Sequence, residues 1–290
     1  MGSIVAVVKG GLGNQLFIYA AARALALRTG RRLYLDVGSY ARDTFSRTFR
    51  LDRFPIEAAI ADVPVAGSGL RAWRYRQLRS FNKLLPLSWR SHIKEAVDPR
   101  RFAVLAPRRA TVIVDGYWQD EDYFADHAVQ VRRELAPPAP VDNDLLRLGD
   151  RLAACDSAFV HVRRRYYRYL LSPDYYQRAI DRICGRLTRP CFLAVGDDPE
   201  WMSRNLDFHG HTVETGSPDG DELSDLWLMS RCRNAIIANS SFSWWGAWLQ
   251  NGEGESTVFA PAQTGLRLAM PARWQRVSNV VTPAPDGGAF

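Results

Sequence analysis

The sequence predicts a two-domain α/β protein with parallel, doubly wound sheets, and three observations lead there. Short apolar runs alternate with helix-patterned segments, most cleanly in the second half. The chain opens in the order strand, glycine loop, helix, strand. A proline-dense break, Leu135-Ala-Pro-Pro-Ala-Pro-Val-Asp142, has the composition of a linker. The break divides residues 1–140 from 141–290, and a length of 290 residues suits two domains at roughly 150 each.

Taken in order, residues 4–8 are a continuous apolar run, as in a strand buried on both faces, ended by Lys9-Gly10-Gly11. From 15 to 28, Leu16, Ala20, Ala24 and Leu27 recur at helical steps and give an alanine-rich face, which Gly30 stops. Residues 33–35 read as the next strand, ending at Asp36. The stretch 71–109 is basic and aromatic with partial helical periodicity, and 112–114 is a strand running into Asp115-Gly-Tyr-Trp-Gln119. In the second half, strands are predicted at 158–162, 191–195, 212–214, 235–238 and 258–260. Helices are predicted at 174–186, from Pro199, at 222–230 and at 244–249.

The chain has 38 basic and 31 acidic residues, a formal charge of +7. All the basic residues but Lys9, Lys83 and Lys94 are arginine. Polyanion binding needs only positive charge, so the arginine bias points to bidentate anion recognition or to mere composition. No nucleic-acid module is recognisable, which argues against that class of partner. The four cysteines, Cys155, Cys184, Cys191 and Cys232, show no CxxC spacing and read as free thiols. With the histidines forming no ligand ladder, no metal site is expected. Three acidic clusters, at 120–122, 142–144 and 219–221, read as solvated loops. The run at 4–8 is too short for a signal peptide, and no apolar run approaches the roughly 20 residues of a membrane span. A cytoplasmic protein is expected, with peripheral contact at the inner membrane left open by the basic 71–109 stretch.

In doubly wound sheets, ligands bind beyond the carboxyl ends of the strands. Three groups fall on that edge: Arg163-Arg164-Arg165, Asp197-Asp198, and Asn239-Ser240-Ser241-Phe242-Ser243. Arginine forks beside a helix start suit a diphosphate. Asp197 and Asp198 either hold a sugar or ribose hydroxyl or cap the helix at Pro199. His161 is either a core histidine or part of the site, and Trp244, Trp245 and Trp248 either pack the helix or offer a stacking platform. Neither GxxxxGK[ST] nor an in-register GxGxxG is present.

Four segments carry a family resemblance: Lys9-Gly-Gly-Leu-Gly-Asn-Gln-Leu-Phe17, Gly116-Tyr-Trp-Gln119, His161-Val-Arg-Arg164 and Asn239-Ser-Ser-Phe-Ser-Trp-Trp-Gly-Ala-Trp-Leu249. Their order and spacing resemble the bacterial α-1,2-fucosyltransferases of glycosyltransferase family 11. The resemblance implies a GT-B architecture, two Rossmann-like domains facing across a cleft. It also implies GDP-fucose as donor, inversion at the anomeric carbon and no metal or other cofactor, because arginines can neutralise the leaving diphosphate. It places Arg163 on the β-phosphate, with Arg164, His161 and Asp197 shaping the donor site. Asn239, Ser240, Ser241 and Phe242 would line the nucleotide pocket, and Gly13 and Asn14 would approach from the N-terminal, acceptor-side domain. Tyr117 and Gln119 are candidates for a glycan acceptor, expected to be a terminal β-galactoside attacked through O2. Asp36 is a weak candidate for the base, and Asp115 another. The chain departs from the family where Arg165-Tyr166-Tyr167 stands in place of Gly-Asp-Tyr, losing a carboxylate beside the arginines. That change keeps two alternatives in view, a transferase using another GDP-sugar and a non-catalytic nucleotide-sugar binder.

Overall fold

The computed structural model describes residues 2–42, 47–62, 82, 84–95, 97–165, 168–250 and 256–284. The chain divides into two compact units, Met1–Ala136 and Pro137–Phe290.

In the first unit β1 (Ser3–Val7) leads through the glycine loop into α1 (Leu12–Thr29) and β2 (Arg32–Asp36). The short strands β3 (Ala59–Ile60) and β4 (His92–Lys94), the single-turn α2 (Pro99–Ala103), β5 (Thr111–Asp115) and α3 (Ala128–Glu134) follow. The strands form one parallel sheet in the order β3-β2-β1-β5-β4. The helix α1 is buried nearly all round from Leu12 to Ala26, rather than on the single alanine face its spacing predicts. Residues that small let the helix sink into the unit. Gly30 ends it at φ 62°, its N–H bonded to Ala26 O and Leu27 O. Residues 71–81, the start of the basic and aromatic stretch, lie outside the described residues, as do 63–70 before it. What is described there is a 3₁₀ turn at Leu87–Trp89, then β4 and α2.

The burial inside this unit includes an ionic cluster. Arg23 and Glu134, only 8% and 2% exposed, pair at 2.7 Å. Glu134 also accepts from Tyr19 Oη at 2.5 Å and from Gln130, while Arg23 reaches on to Glu57 at the surface. Arg23 and Tyr19 hold the Glu134 carboxyl below its ordinary pKa against the opposing effect of burial.

The second unit comprises α4 (Asn143–Ala154), β6 (Ser157–Val162), β7 (Tyr169–Leu171), α5 (Pro173–Arg186), β8 (Cys191–Gly196) and α6 (Pro199–Asn205). It continues with β9 (Val213–Thr215), α7 (Glu222–Arg231), β10 (Asn234–Ile236), α8 (Ser241–Trp248), β11 (Val258–Pro261), β12 (Gln275–Val277) and β13 (Val281–Pro283). Six strands make a parallel sheet in the order β12-β11-β10-β6-β8-β9, and β7 pairs antiparallel with β13. Ala158, Val160 and Val162 pack with Phe192 and with Tyr175, Tyr176 and Ile180 of α5 in one core. Alternation turns Phe159, His161, Leu193 and Val195 to the other face. Helix α7 packs against both α4 and α8, with Gly149 of α4 against the Trp227 ring and Gly246 of α8 against Met229. Trp244, Trp245 and Trp248 are 0%, 0% and 4% exposed. They are helix-packing residues and not a stacking platform.

Two expectations are corrected. Cys155 and Cys191 form a disulfide, with Cα atoms 6.7 Å apart, while Cys184 and Cys232 are free thiols. The register pairs Cys191 with Ser157, so the end of α4 is brought to the start of β8. The acidic clusters are also more than solvated loops. Asp120, Asp142 and Asp221 each cap the following helix, accepting from a backbone N–H in its first turn. Among the described residues no helix is long and apolar enough to cross a membrane.

Both sheets reverse their winding order at one point, between β1 and β5 in the first unit and between β6 and β10 in the second. A crevice opens at the carboxyl ends of strands where the order reverses.

Candidate functional site

In the first unit the reversal brings the loop after β1 to the loop after β5. Gly10 has φ +79°, and a Cβ there would lie 2.7 Å from Asn14 Nδ2, so the turn demands glycine. Gly13 is buried in the first turn of α1, and Asn14 stays partly exposed. Across the reversal, Gln119 Nε2 donates to Asn14 Oδ1 at 2.7 Å, and Lys9 Nζ donates to Asp115 at 2.7 Å. Tyr117 is 37% exposed, its ring 5.3 Å from Lys9 Nζ and its N–H bonded to Glu95 Oε2. Trp118 between them is fully buried against Phe102 and Tyr123.

Both candidate bases are compromised by their surroundings. Asp36 is 1% exposed and accepts from Gly38 N at 2.9 Å, so its carboxylate shapes the turn after β2 and is closed to an incoming hydroxyl. Asp115 is hydrogen-bonded to His92 and Lys9, which hold it well below the usual carboxylate pKa. A carboxylate that acidic is a weak proton acceptor. Gln15 was not foreseen as a site residue. Fully buried, it donates to Gly10 O and Thr48 O and accepts from Arg50 N, fixing the glycine loop to the 48–50 segment.

In the second unit the arginine loop follows β6. Arg163 Nη1 lies 3.2 Å from Asp197 Oδ2, and the backbone N–H groups of Arg164 and Arg165 donate to the same carboxylate at 2.8 and 3.0 Å. Asp197 therefore faces arginines, and neither sequence reading of it, hydroxyl holder or cap, describes its contacts. Asp198 is the cap, accepting from Trp201 N at 3.1 Å. The Arg164 guanidinium sits 4.1 Å from the Trp201 ring centroid, and Arg165 is exposed.

Beside this loop, at the start of α8, the His161 ring lies 5.6 Å from that of Phe242. Burial, aided by the Arg163 charge, pushes His161 down to about 3, so it is a neutral imidazole at pH 7. Asn239 Nδ2 ties the loop after β10 to Tyr169 O and Thr264 O, and Ser240 caps α8 through Phe242 N. Ser241 and Phe242 stay partly exposed at the same edge.

A second residue not foreseen is Asp225, in the first turn of α7. It accepts from Ser217 N at 2.7 Å. Burial, with Asp221 and Asp219 nearby, raises it to about 6. A folded pKa raised above the unfolded value stabilises below about pH 4, and that contribution is lost as the pH climbs through 6. Asp225→Asn, which keeps the carbonyl for Ser217, should therefore gain about 2–3 kcal/mol over wild type at pH 8 and nothing at pH 4. Urea titrations at those two pH values check this; equal gains at both would show that ionisation is not the cause.

Comparison with known proteins then fixes the family. The profile described as Glycosyl transferase family 11 matches residues 101–264, more than half of the chain. The chain belongs to that family. An Escherichia coli protein described as an alpha-1,2-colitosyltransferase is 32% identical over 296 residues, spanning 96% of this chain and 100% of that one. Human galactoside alpha-(1,2)-fucosyltransferase 1 is 27% identical over 266 residues, 84% of this chain and 64% of the human protein. Among solved structures, the alpha-1,6-fucosyltransferase NodZ soaked with GDP-fucose superposes with a TM-score of 0.50 at 17% identity, over 86% of this chain and 92% of that one. That likeness shows the fold. The family 11 chain is thus an α/β glycosyltransferase of the GT-B class, as its sequence predicts.

Proposed function

We propose that this glycosyltransferase moves L-fucose from GDP-fucose to a glycan hydroxyl, with inversion and without a metal ion. The observation that supports this best is the loop of three arginines at the winding reversal of the second sheet, held by Asp197. A diphosphate leaving group gathers negative charge as the glycosidic bond breaks, and fixed guanidinium groups stabilise that charge.

In the proposed reaction the acceptor oxygen, O2 of a terminal β-galactoside, attacks the fucose anomeric carbon on the face opposite the diphosphate. The bond from that carbon to the β-phosphate oxygen breaks, its electron pair leaves with GDP, and the proton of the acceptor hydroxyl passes to solvent water. Arg163 holds the β-phosphate, and Arg164, His161, Ser241 and Phe242 shape the donor site. Gly13 and Asn14 are assigned to the donor, and Tyr117 and Gln119 to the acceptor. An oxocarbenium-like transition state asks more of the leaving group than of a base.

A second donor is favoured by one finding, the 32% identity to the alpha-1,2-colitosyltransferase. Colitose is fucose without its 3-hydroxyl, and a site that hydrogen-bonds this group rejects the deoxy sugar strongly, whereas an apolar site does not. Calorimetric titration with GDP-fucose, GDP-colitose and GDP-mannose, all in EDTA, tests the reading. GDP-fucose is expected to bind most tightly and to turn over in EDTA. Preference for GDP-colitose would reassign the donor, and loss of turnover restored only by a divalent ion would overturn metal independence.

The proposal extends to peripheral membrane contact. Trp89, 44% exposed, lies beside Arg108 and Arg109, with Arg108 stacked 5.1 Å over its ring and Arg109 Nε donating to its carbonyl. Flotation with anionic vesicles checks this, and a chain left entirely in the pellet fraction would dismiss it.

A further inference from the structure

The arginine loop is held in place from below. Gly196 ends β8 where a Cβ would lie 2.3 Å from Val162 O, so only glycine lets the exit of β8 come this close to the exit of β6. The next residue, Asp197, then meets three consecutive arginines, one through its guanidinium and two through backbone N–H groups. Two residues into α6, Trp201 presents its ring to the Arg164 guanidinium and packs edge-on against the core residue Tyr176. Both arginine side chains therefore have an anchor in the same loop-to-helix turn, and that anchor is itself fixed by the Asp198 cap.

We propose that Asp197 and Trp201 are positioning residues, which orient Arg163 and Arg164 for the donor's diphosphate without touching the donor themselves. The inference rests on the GDP-sugar reading above. It assigns to Asp197 the orienting carboxylate that the chain lacks where Tyr166 replaces the family's aspartate. The opposing effect is charge: an acidic group beside the arginines weakens their pull on phosphate. Order wins here, because the carboxylate accepts from two consecutive backbone N–H groups as well as from the guanidinium. Without it the loop itself is released, and forks that are not pre-oriented give up affinity on binding.

The test is calorimetric titration of the full chain with GDP and with guanosine, which carries no phosphate. Asp197→Asn and Trp201→Leu should each weaken GDP by about tenfold or more and guanosine by less than about twofold. Trp201→Phe, which keeps an aromatic face, should recover most of the GDP affinity. Asp142→Ala removes the cap of a different helix, α4, and should leave the GDP-to-guanosine ratio at the wild-type value. Parallel loss of both ligands in Asp197→Asn would reduce its role to folding and overturn the proposal. So would GDP binding that is unchanged or tighter. If Asp197→Asn does not fold, the two Trp201 variants decide alone. Wild-type protein that binds no GDP would overturn the donor reading and this inference together, an outcome distinct from loss in the variants only.

Discussion

Arg163→Ala should lose two to three orders of magnitude in kcat/KM for the donor, about 3–4 kcal/mol of transition-state stabilisation. Its side chain is 27% exposed at the edge of the second sheet, so a ligand can reach it, and Asp197 already fixes the direction of its guanidinium. Truncation removes the charge and leaves Asp197 its two backbone donors, so the melting temperature should stay near that of wild type. Arg163→Lys keeps the charge without the fork and should recover only part of the rate. Steady-state release of GDP measures both. A rate within about tenfold of wild type for the alanine variant, ~1.4 kcal/mol, would remove Arg163 from the reaction.

The largest effect on stability is expected at Glu134. Glu134→Ala leaves Arg23, whose side chain is 10% exposed, without its buried partner, and strands the Tyr19 hydroxyl that donates to the same carboxylate. Breaking a buried pair from one side costs about 3–5 kcal/mol where the charge left behind is uncompensated, and here the exposed Glu57 carboxylate still meets Arg23 and offsets part of that cost. Glu134→Gln preserves acceptor geometry for Tyr19 and should cost less. Because the folded-state pKa of Glu134 is lowered, its contribution is present above the ordinary carboxylate range and fades as the pH falls below it. Urea denaturation followed by circular dichroism gives both numbers. An alanine variant within 1 kcal/mol of wild type would mean that solvent reaches Arg23 more easily than its burial implies.

The elements that were legible in the sequence are those whose signal is local. The opening strand, the glycine loop and the start of β2 are marked by an apolar run, by Gly10-Gly11 and by the Gly30 stop, and the structure has them within a few residues. The alternation after residue 157 is equally plain, because each buried parallel strand is a continuous apolar run. The two-residue β3 and three-residue β4 were not legible, since strands so short carry no period and are held by their neighbours in the sheet. The site divides in the same way. Arg163 and Asn239 sit in recognisable motifs. Gln15 looks like a surface polar residue in a string of letters, as do Arg23 and Glu134 of the buried ionic cluster, and only their burial shows otherwise. Asp197 and Asp198 are adjacent and identical in type, yet one turns to the arginine loop and the other to the helix. No pattern in one dimension separates them. The disulfide was missed because its partners are 36 residues apart and meet through strand pairing.

At Trp118, backbone and packing ask for opposite residues. Its φ of 56° is a conformation that favours glycine or asparagine, while its fully buried ring, 4.9 Å from Phe102 and 5.2 Å from Tyr123, fills space that only a large aromatic can fill. Glycine would ease the chain and empty the pocket; phenylalanine would half-fill the pocket and keep the torsion. No single exchange satisfies both demands, so saturation mutagenesis at 118 should return tryptophan almost alone. Tyr117 and Gln119 on either side thereby inherit a fixed stance from a residue that never meets a substrate.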